Sequence, residues 1–306
     1  MAGMKADAYK VAANLKTFIR ERSATALFVG PMSQACVDAC LELAKQFKIP
    51  LPLIASRRQV EASEFGGGYV NGWNSKTFAE YVLSRDQTGL VLVARDHGGP
   101  YQNVFEVDQN FPLEKAMKSA KTSFEEDIDS GFHILHIDPS VPKPGEALTL
   151  DMILERLYEL YSHCYSYAQK KGRAVQFELG TEEQTGYGQD LEQFRYFLDK
   201  TKKFCAAEKI TPPLFVVSQT GTKVLETENV GKVAHFPENV EPSYLDNLRR
   251  SISAAEEFGL MIKEHNGDYI NTQTLQLRPL IGLHGCNVAP EFGVEETKAL
   301  IYLLKA

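Results

Sequence analysis

Eight short runs rich in aliphatic and β-branched residues recur along the chain, and each gap between them carries a segment with helical spacing or a polar loop. The runs are ALFVG (26–30), PLPLIA (50–55), GLVLVARD (89–96), FHILHID (132–138), AVQFELG (174–180), PLFVVSQ (213–219), GLMIKEH (259–265) and PLIGLHG (279–285). Strands this apolar must be buried on both faces, and helices between them supply crossover connections, so the sheet is predicted to be parallel. The intervening stripes support this: Leu113, Ala116, Met117, Ala120, Phe124 and Ile128 share one helical face, as do Leu245, Leu248, Ile252, Ala255 and Phe258. Eight such units in 306 residues close most naturally into one (β/α)8 TIM barrel spanning 1–306, with an N-terminal helix in front of the first strand. A doubly wound open sheet is the alternative. It would carry a glycine fingerprint after the first strand, where VGPMSQAC has a single glycine.

Composition narrows the class of function. A net charge of -7, with 24% charged residues, gives no basic field for nucleic acid or anionic lipid, so a small-molecule substrate is expected. Residues 1–23 read as an amphipathic helix without a signal-peptide core, and no run of about 18 apolar residues occurs, so a cytoplasmic, non-membrane protein is expected. Five cysteines without CxxC spacing read as reduced and structural.

In such barrels the C-terminal ends of the strands build the active site, and here the polar residues gather there. The third run ends in RDHGGP, the fourth in HIDPS, the fifth in FELGTEEQTGYG, the sixth in SQTG, the seventh in KEHNGDY and the eighth in HGCN. Strand alternation puts Gln176 with Glu178 on one face and His136 with Asp138 on one face. Polar side chains turned into a barrel are costly unless paired or bound to an ion or ligand. His97, Glu178 and His265, with Gln219 or water completing the set, suit zinc or a similar divalent cation acting as a Lewis acid. His133, His163 and His235 read as ordinary hydrogen-bonded residues, and His136 as an interior group supporting Asp138.

The segments DHGGP, GFHILHIDPS, LGTEEQ, VVSQTG, EHNGDY and FGGGYVNGW resemble, in order and spacing, those of the tagatose-bisphosphate aldolase accessory (Z-type) subunit family, related to the class II metal-dependent sugar aldolases. The similarity runs over roughly residues 50–300. It implies Asp96 as acid/base, His97 as a metal ligand, Asp138 in the same cavity, and a catalytic or metal-associated carboxylate at Glu178 or Glu182, between which the resemblance does not choose. It places Gln219 where those aldolases carry a histidine, and the glycine-serine phosphate loop after the seventh strand is replaced by NGDY. Arg57, Arg58, Gln59, Lys263 and Asn287 are the expected substrate contacts, and backbone N–H groups at 285–287 or a helix starting near Val294 are the remaining anion cradles. The implied activity is metal-dependent aldol cleavage or formation in a ketose or ketose phosphate. Epimerisation of a keto sugar acid, or a stabilising role beside an aldolase subunit, are the alternatives, and a homo-oligomer is a further expectation.

Overall fold

The computed structural model describes residues 4–181, 186–238 and 240–305, with side chains from residue 13 onward. Strands β1 (Ala26–Val29), β2 (Leu51–Ser56), β3 (Val91–Gly98), β4 (Ile134–Ile137), β5 (Gln176–Leu179) and β6 (Phe215–Val217) are followed by a two-stranded ribbon, β7 (Val224–Leu225) and β8 (Glu228–Asn229), and then by β9 (Met261–Glu264) and β10 (Gly285–Val288). The eight longer strands close in the order β1-β10-β9-β6-β5-β4-β3-β2, all parallel. Helices α1 (Met4–Arg22), α2 (Gln34–Phe47), α3 (Ser75–Arg85), α4 (Val104–Asp108), α5 (Leu113–Ser130), α6 (Leu150–Lys171), α7 (Leu191–Glu208), α8 (Pro242–Glu257), α9 (Thr272–Leu280) and α10 (Pro290–Lys305) complete the chain. This is the expected (β/α)8 barrel with an N-terminal helix. Among the described residues, no helix is long and apolar enough to cross a membrane.

Period-two alternation sorts the strand residues into two cores. Leu53, Val91, Val93, Leu135, Ile137, Phe177 and Leu179 point outward against the helices. Ala26, Phe28, Ile54, Leu92, Ala94, Ile134, Phe215 and Met261 fill the lower barrel, where Leu15 and Ile19 of α1 close the bottom. The same inward parity, carried two to four residues further up, presents Asp96, His136, Asp138, Glu178, Lys263, His265 and Asn287. The apolar plug and the polar mouth are therefore one pattern read at two heights.

Two local expectations are corrected. The run 279–285 is not the eighth strand: the helical pattern continues through Pro279 to Leu280, and the strand starts at Gly285. Nor does the last helix begin near Val294, because α10 starts at Pro290 and its first N–H groups are already satisfied. Asp268 Oδ1 accepts from the N–H of Ala289 at 2.8 Å and of Glu291 at 2.9 Å, clamping the β9 loop to α10. The N–H groups of 285–287 lie in β10, so the anion cradle expected there is not formed.

Burial, reinforced by the nearby Glu291 charge and opposed by the two N–H donors, raises the Asp268 carboxyl to about 6. The folded state thus holds this proton to higher pH than the unfolded chain, and the associated stability is complete below about pH 4 and lost as pH rises through 6. Asp268→Asn keeps an acceptor and removes the titration. Its stability relative to the parent is expected to rise by on the order of 2–3 kcal/mol between pH 4 and 7 in urea titrations; a pH-independent difference would contradict this.

Candidate active site

The DHGGP segment shows how a strand end becomes a site. Consecutive strand residues point to opposite faces, so Asp96 and His97 could not both look inward in a regular strand. Pairing with β4 is irregular between Arg95 and Gly98, and His97 takes a left-handed φ of 43°. That turn brings both side chains to the mouth, at a backbone cost of the kind often retained at functional sites. Gly98 and Gly99 then pass so close to β4 that a Cβ on either would meet backbone, at 2.8 Å from His136 O and 2.2 Å from Asp138 O.

Three imidazoles gather at this mouth, with ring centroids 4.7 Å apart for His97 and His265, 5.1 Å for His136 and His265, and 5.3 Å for His97 and His136. His97 Nδ1 lies 2.6 Å from Asp138 Oδ2, and His97 Nε2 lies 3.1 Å from His265 Nδ1. The other nitrogen of His265 lies 3.2 Å from Glu178 Oε1. Lys263 Nζ holds Glu178 Oε2 at 2.5 Å and sits 4.1 Å from the centre of the Phe28 ring. Asn287 Nδ2 donates to Asp96 Oδ1 at 3.1 Å, fixing that carboxylate from across the barrel.

Electrostatics follow from this crowding. Burial alone would raise the carboxyls, but the imidazoles beside Asp96 and Lys263 hold it well below the usual carboxylate range. The Lys263 ammonium, with His136 and His265, holds Glu178 at about 2, and His97 depresses Asp138. Burial opposes charge on both rim imidazoles: Asp96 and Asp138 overcome it at His97, raised to about 9, whereas for His265 burial prevails and holds it at about 4. Oppositely shifted neighbouring groups of this kind are concentrated at functional sites.

His136 was expected to be a satisfied interior group. It is instead common to both sets of converging donors found among the described residues, Asp96–His136–Glu178–His265 and His97–His136–Asp138. Its Nδ1 accepts from the His97 N–H at 3.1 Å, while Nε2 is buried without a hydrogen-bond partner among the described residues. Gly180 makes room for it, since a Cβ there would lie 2.6 Å from Nε2. The available signal was its shared parity with Asp138.

A cavity of about 320 Å³ opens over these groups, lined by Ser56, Arg58, Gln102, Ser140 and Asn266 as well as the imidazoles. Gln102 Nε2 donates to Asp138 Oδ2 at 2.9 Å and was not anticipated. Of the expected substrate contacts, Arg58 is exposed on this wall and Asn287 reaches the site through Asp96. Arg57 points elsewhere: it is buried against Glu61 at 2.8 Å and Glu106 at 2.7 Å, and it donates to Gly99 O. Lys263 lies beneath the site, held by Glu178. Gln59 Nε2 donates to Pro31 O and its Oε1 accepts from the Ser56 N–H, stapling the β2 loop. Gln219 is buried at the end of β6, its N–H donating to Gln189 Oε1. Glu182 lies outside the described residues. His133, His163 and His235 have partners in the Val93 N–H, Glu125 and the Asn229 carbonyl.

No protein-family model and no curated protein matches the chain in sequence. Solved structures do match in fold. A "probable tagatose 6 phosphate kinase" from Sinorhizobium meliloti 1021 is similar with a TM-score of 0.69 and 19% identity, over 87% of this chain and 65% of that one. The YdjI aldolase from Escherichia coli K12 matches with a TM-score of 0.57 and 12% identity, over 95% of this chain and 85% of its own length. The fructose-bisphosphate aldolase from Campylobacter jejuni gives 0.56 and 14%, over 91% and 75%. The chain thus shares the barrel fold of sugar aldolases, and it spans about 65% of the length of the first of these structures.

Proposed function

We propose that the chain is a metal-dependent lyase of the class II sugar-aldolase type, making or breaking a carbon-carbon bond in a ketose or ketose phosphate. The observation that carries this reading is the convergence of His97, His136 and His265 with Asp96, Asp138 and Glu178 at the mouth of the barrel, under a sugar-sized cavity. The donor set fits a divalent cation. It mixes imidazole and carboxylate, two of the imidazoles are backed by carboxylates, and Asp96, His136, Glu178 and His265 each turn a donor atom into one small buried space. Gln219, two residues past β6, stands where the class II aldolases that the sequence resembles carry an imidazole, and β4 supplies a third imidazole, His136, 5.1 Å from His265. Zinc is the first candidate, and such an ion supplies Lewis-acid polarisation of a substrate carbonyl.

The protein's own groups divide the remaining work. The adjacent pair Asp96–His97 provides the proton-moving group at the substrate hydroxyl, with Asp138 and Gln102 holding the His97 ring in place. Ser140 and Asn266 offer hydrogen bonds to sugar hydroxyls, and Arg58 meets an acidic terminus. Arg58 is the one Lys or Arg on the described cavity wall, which suits a substrate with a single acidic group. A keto sugar acid meets that condition as well as a monophosphate does, so epimerisation of such an acid on the same residues is the second reading.

The deciding experiment incubates the purified chain with ketoses, ketose phosphates and keto sugar acids, with and without a chelator. Chelator-sensitive release of an aldehyde is expected, and epimer formation without aldehyde selects the second reading. Turnover that appears only when an aldolase subunit is added makes the chain an accessory partner and overturns both.

A further inference from the structure

We propose that the cation-binding set is Asp96, His136, Glu178 and His265, and that His97, which the resemblance makes a metal ligand, faces the substrate instead. This rests on reading the centre as a divalent-cation site and specifies which atoms form it.

Four donor atoms converge on one point. Asp96 Oδ1 lies 3.5 Å from His136 Nδ1 and 3.9 Å from His265 Nε2. Glu178 Oε1 lies 3.7 Å from His136 Nδ1 and 3.2 Å from His265 Nε2. Ligands bound at about 2.0–2.2 Å around a tetrahedral ion stand roughly 3.3–3.6 Å apart, so these four atoms need only small adjustments to share one ion. They come from four strands or strand ends of a closed barrel, which holds them at fixed spacing. Glu178 is steadied for this by Lys263 on its other oxygen, and Asp96 by Asn287. The cation must compete with the His97 N–H for the His136 Nδ1 lone pair, and the two carboxylates alongside favour the cation in that exchange.

His97 lies beside this group and outside it, its Nε2 at 3.1 Å from the far nitrogen of His265 and 3.8 Å from the second oxygen of Asp96. Its Nδ1 is taken by Asp138, and its Nε2 faces the opposite nitrogen of His265 from the one in the four-atom group. Its side chain is 40% exposed, against 1% for His136 and 3% for His265. It stands on the cavity wall with Gln102, Ser140 and Arg58, where a sugar oxygen would lie. The left-handed backbone at His97 is what aims it there.

The test uses the full chain and two probes, Zn2+ and Mn2+, titrated against a chromophoric chelator, with circular dichroism confirming that each variant folds. His97→Ala should bind Zn2+ within about threefold of the parent while turnover falls on the order of 100-fold or more. His136→Ala should weaken Zn2+ by on the order of 100-fold or more, beyond the 10- to 100-fold seen for residues that only orient a ligand. X-ray absorption at the zinc edge should report the same number of imidazoles in the parent and in His97→Ala, a readout that stands even if His136→Ala fails to fold. Loss of Zn2+ or of one imidazole in His97→Ala overturns the assignment and leaves the cation reading intact. A parent chain that binds neither metal overturns the cation reading, and this inference with it.

Discussion

Asp127→Ala is expected to destabilise the protein by about 3–5 kcal/mol, which against a typical total of about 5–15 kcal/mol leaves little of the fold's margin. Arg95 and Asp127 are both fully buried and paired at 2.6 Å, with a second contact from Arg95 Nε at 2.7 Å. Ser75 Oγ donates to the same carboxylate, and Arg95 Nη1 donates to the carbonyls of Ala55 and Val60. One guanidinium therefore ties β2, its following loop, β3 and α5 together. Burial raises the Asp127 carboxyl despite Arg95 beside it, so desolvation consumes much of what the pair gains by attraction. The large loss comes from stranding the Arg95 charge in a dry interior. Two controls follow. Combining Arg95→Met with Asp127→Leu should recover most of the loss, and breaking the exposed, solvent-screened Arg195–Glu257 pair should cost far less. Urea unfolding measures all three, and an Asp127→Ala cost as small as that of the surface pair would refute the account.

Lys263→Met should be comparably severe and should reach the site as well. It leaves the Glu178 carboxylate, 1% exposed, without the ammonium that offsets its burial. If the carboxylate stays ionised the penalty is again about 3–5 kcal/mol. If it takes up a proton instead, the negative oxygen facing His265 and His136 is lost, and divalent-cation affinity should fall about 10- to 100-fold. Zn2+ titration and thermal unfolding on the same sample distinguish the two mutants: Asp127→Ala should lower stability with cation affinity unchanged in the folded fraction, whereas Lys263→Met should lower the affinity. Unaltered Zn2+ binding in Lys263→Met would mean that Glu178 is no part of the centre.

The barrel was legible because its signals are local. Apolar runs and helical stripes recur often enough that a one-residue error in any element leaves the architecture standing, and even the misplaced eighth strand lay within a few residues of its true position. The inward rows were legible in part, since alternation alone aligns Glu178 with Gln176 and Asp138 with His136. It fails where the backbone departs from regularity. His97 reaches the cavity through a positive φ and a break in register, which its place beside Asp96 does not announce.

Arg57 and Arg58 show the other limit. Adjacent side chains diverge, and only the positions of Glu61, Glu106 and the Gly99 carbonyl decide that Arg57 is the structural one and Arg58 the one at the cavity. His136 likewise owes its place in the cluster of imidazoles to Gly180 just past the neighbouring strand, whose missing side chain leaves the ring room. The amino-acid order by itself determined the parallel barrel, its N-terminal helix and the polar end at which chemistry gathers, because periodicity and burial act over a few residues. Which nitrogens, oxygens and cations meet there was decided only in three dimensions, because strands far apart in the chain must first close into a ring before their ends can share a charge.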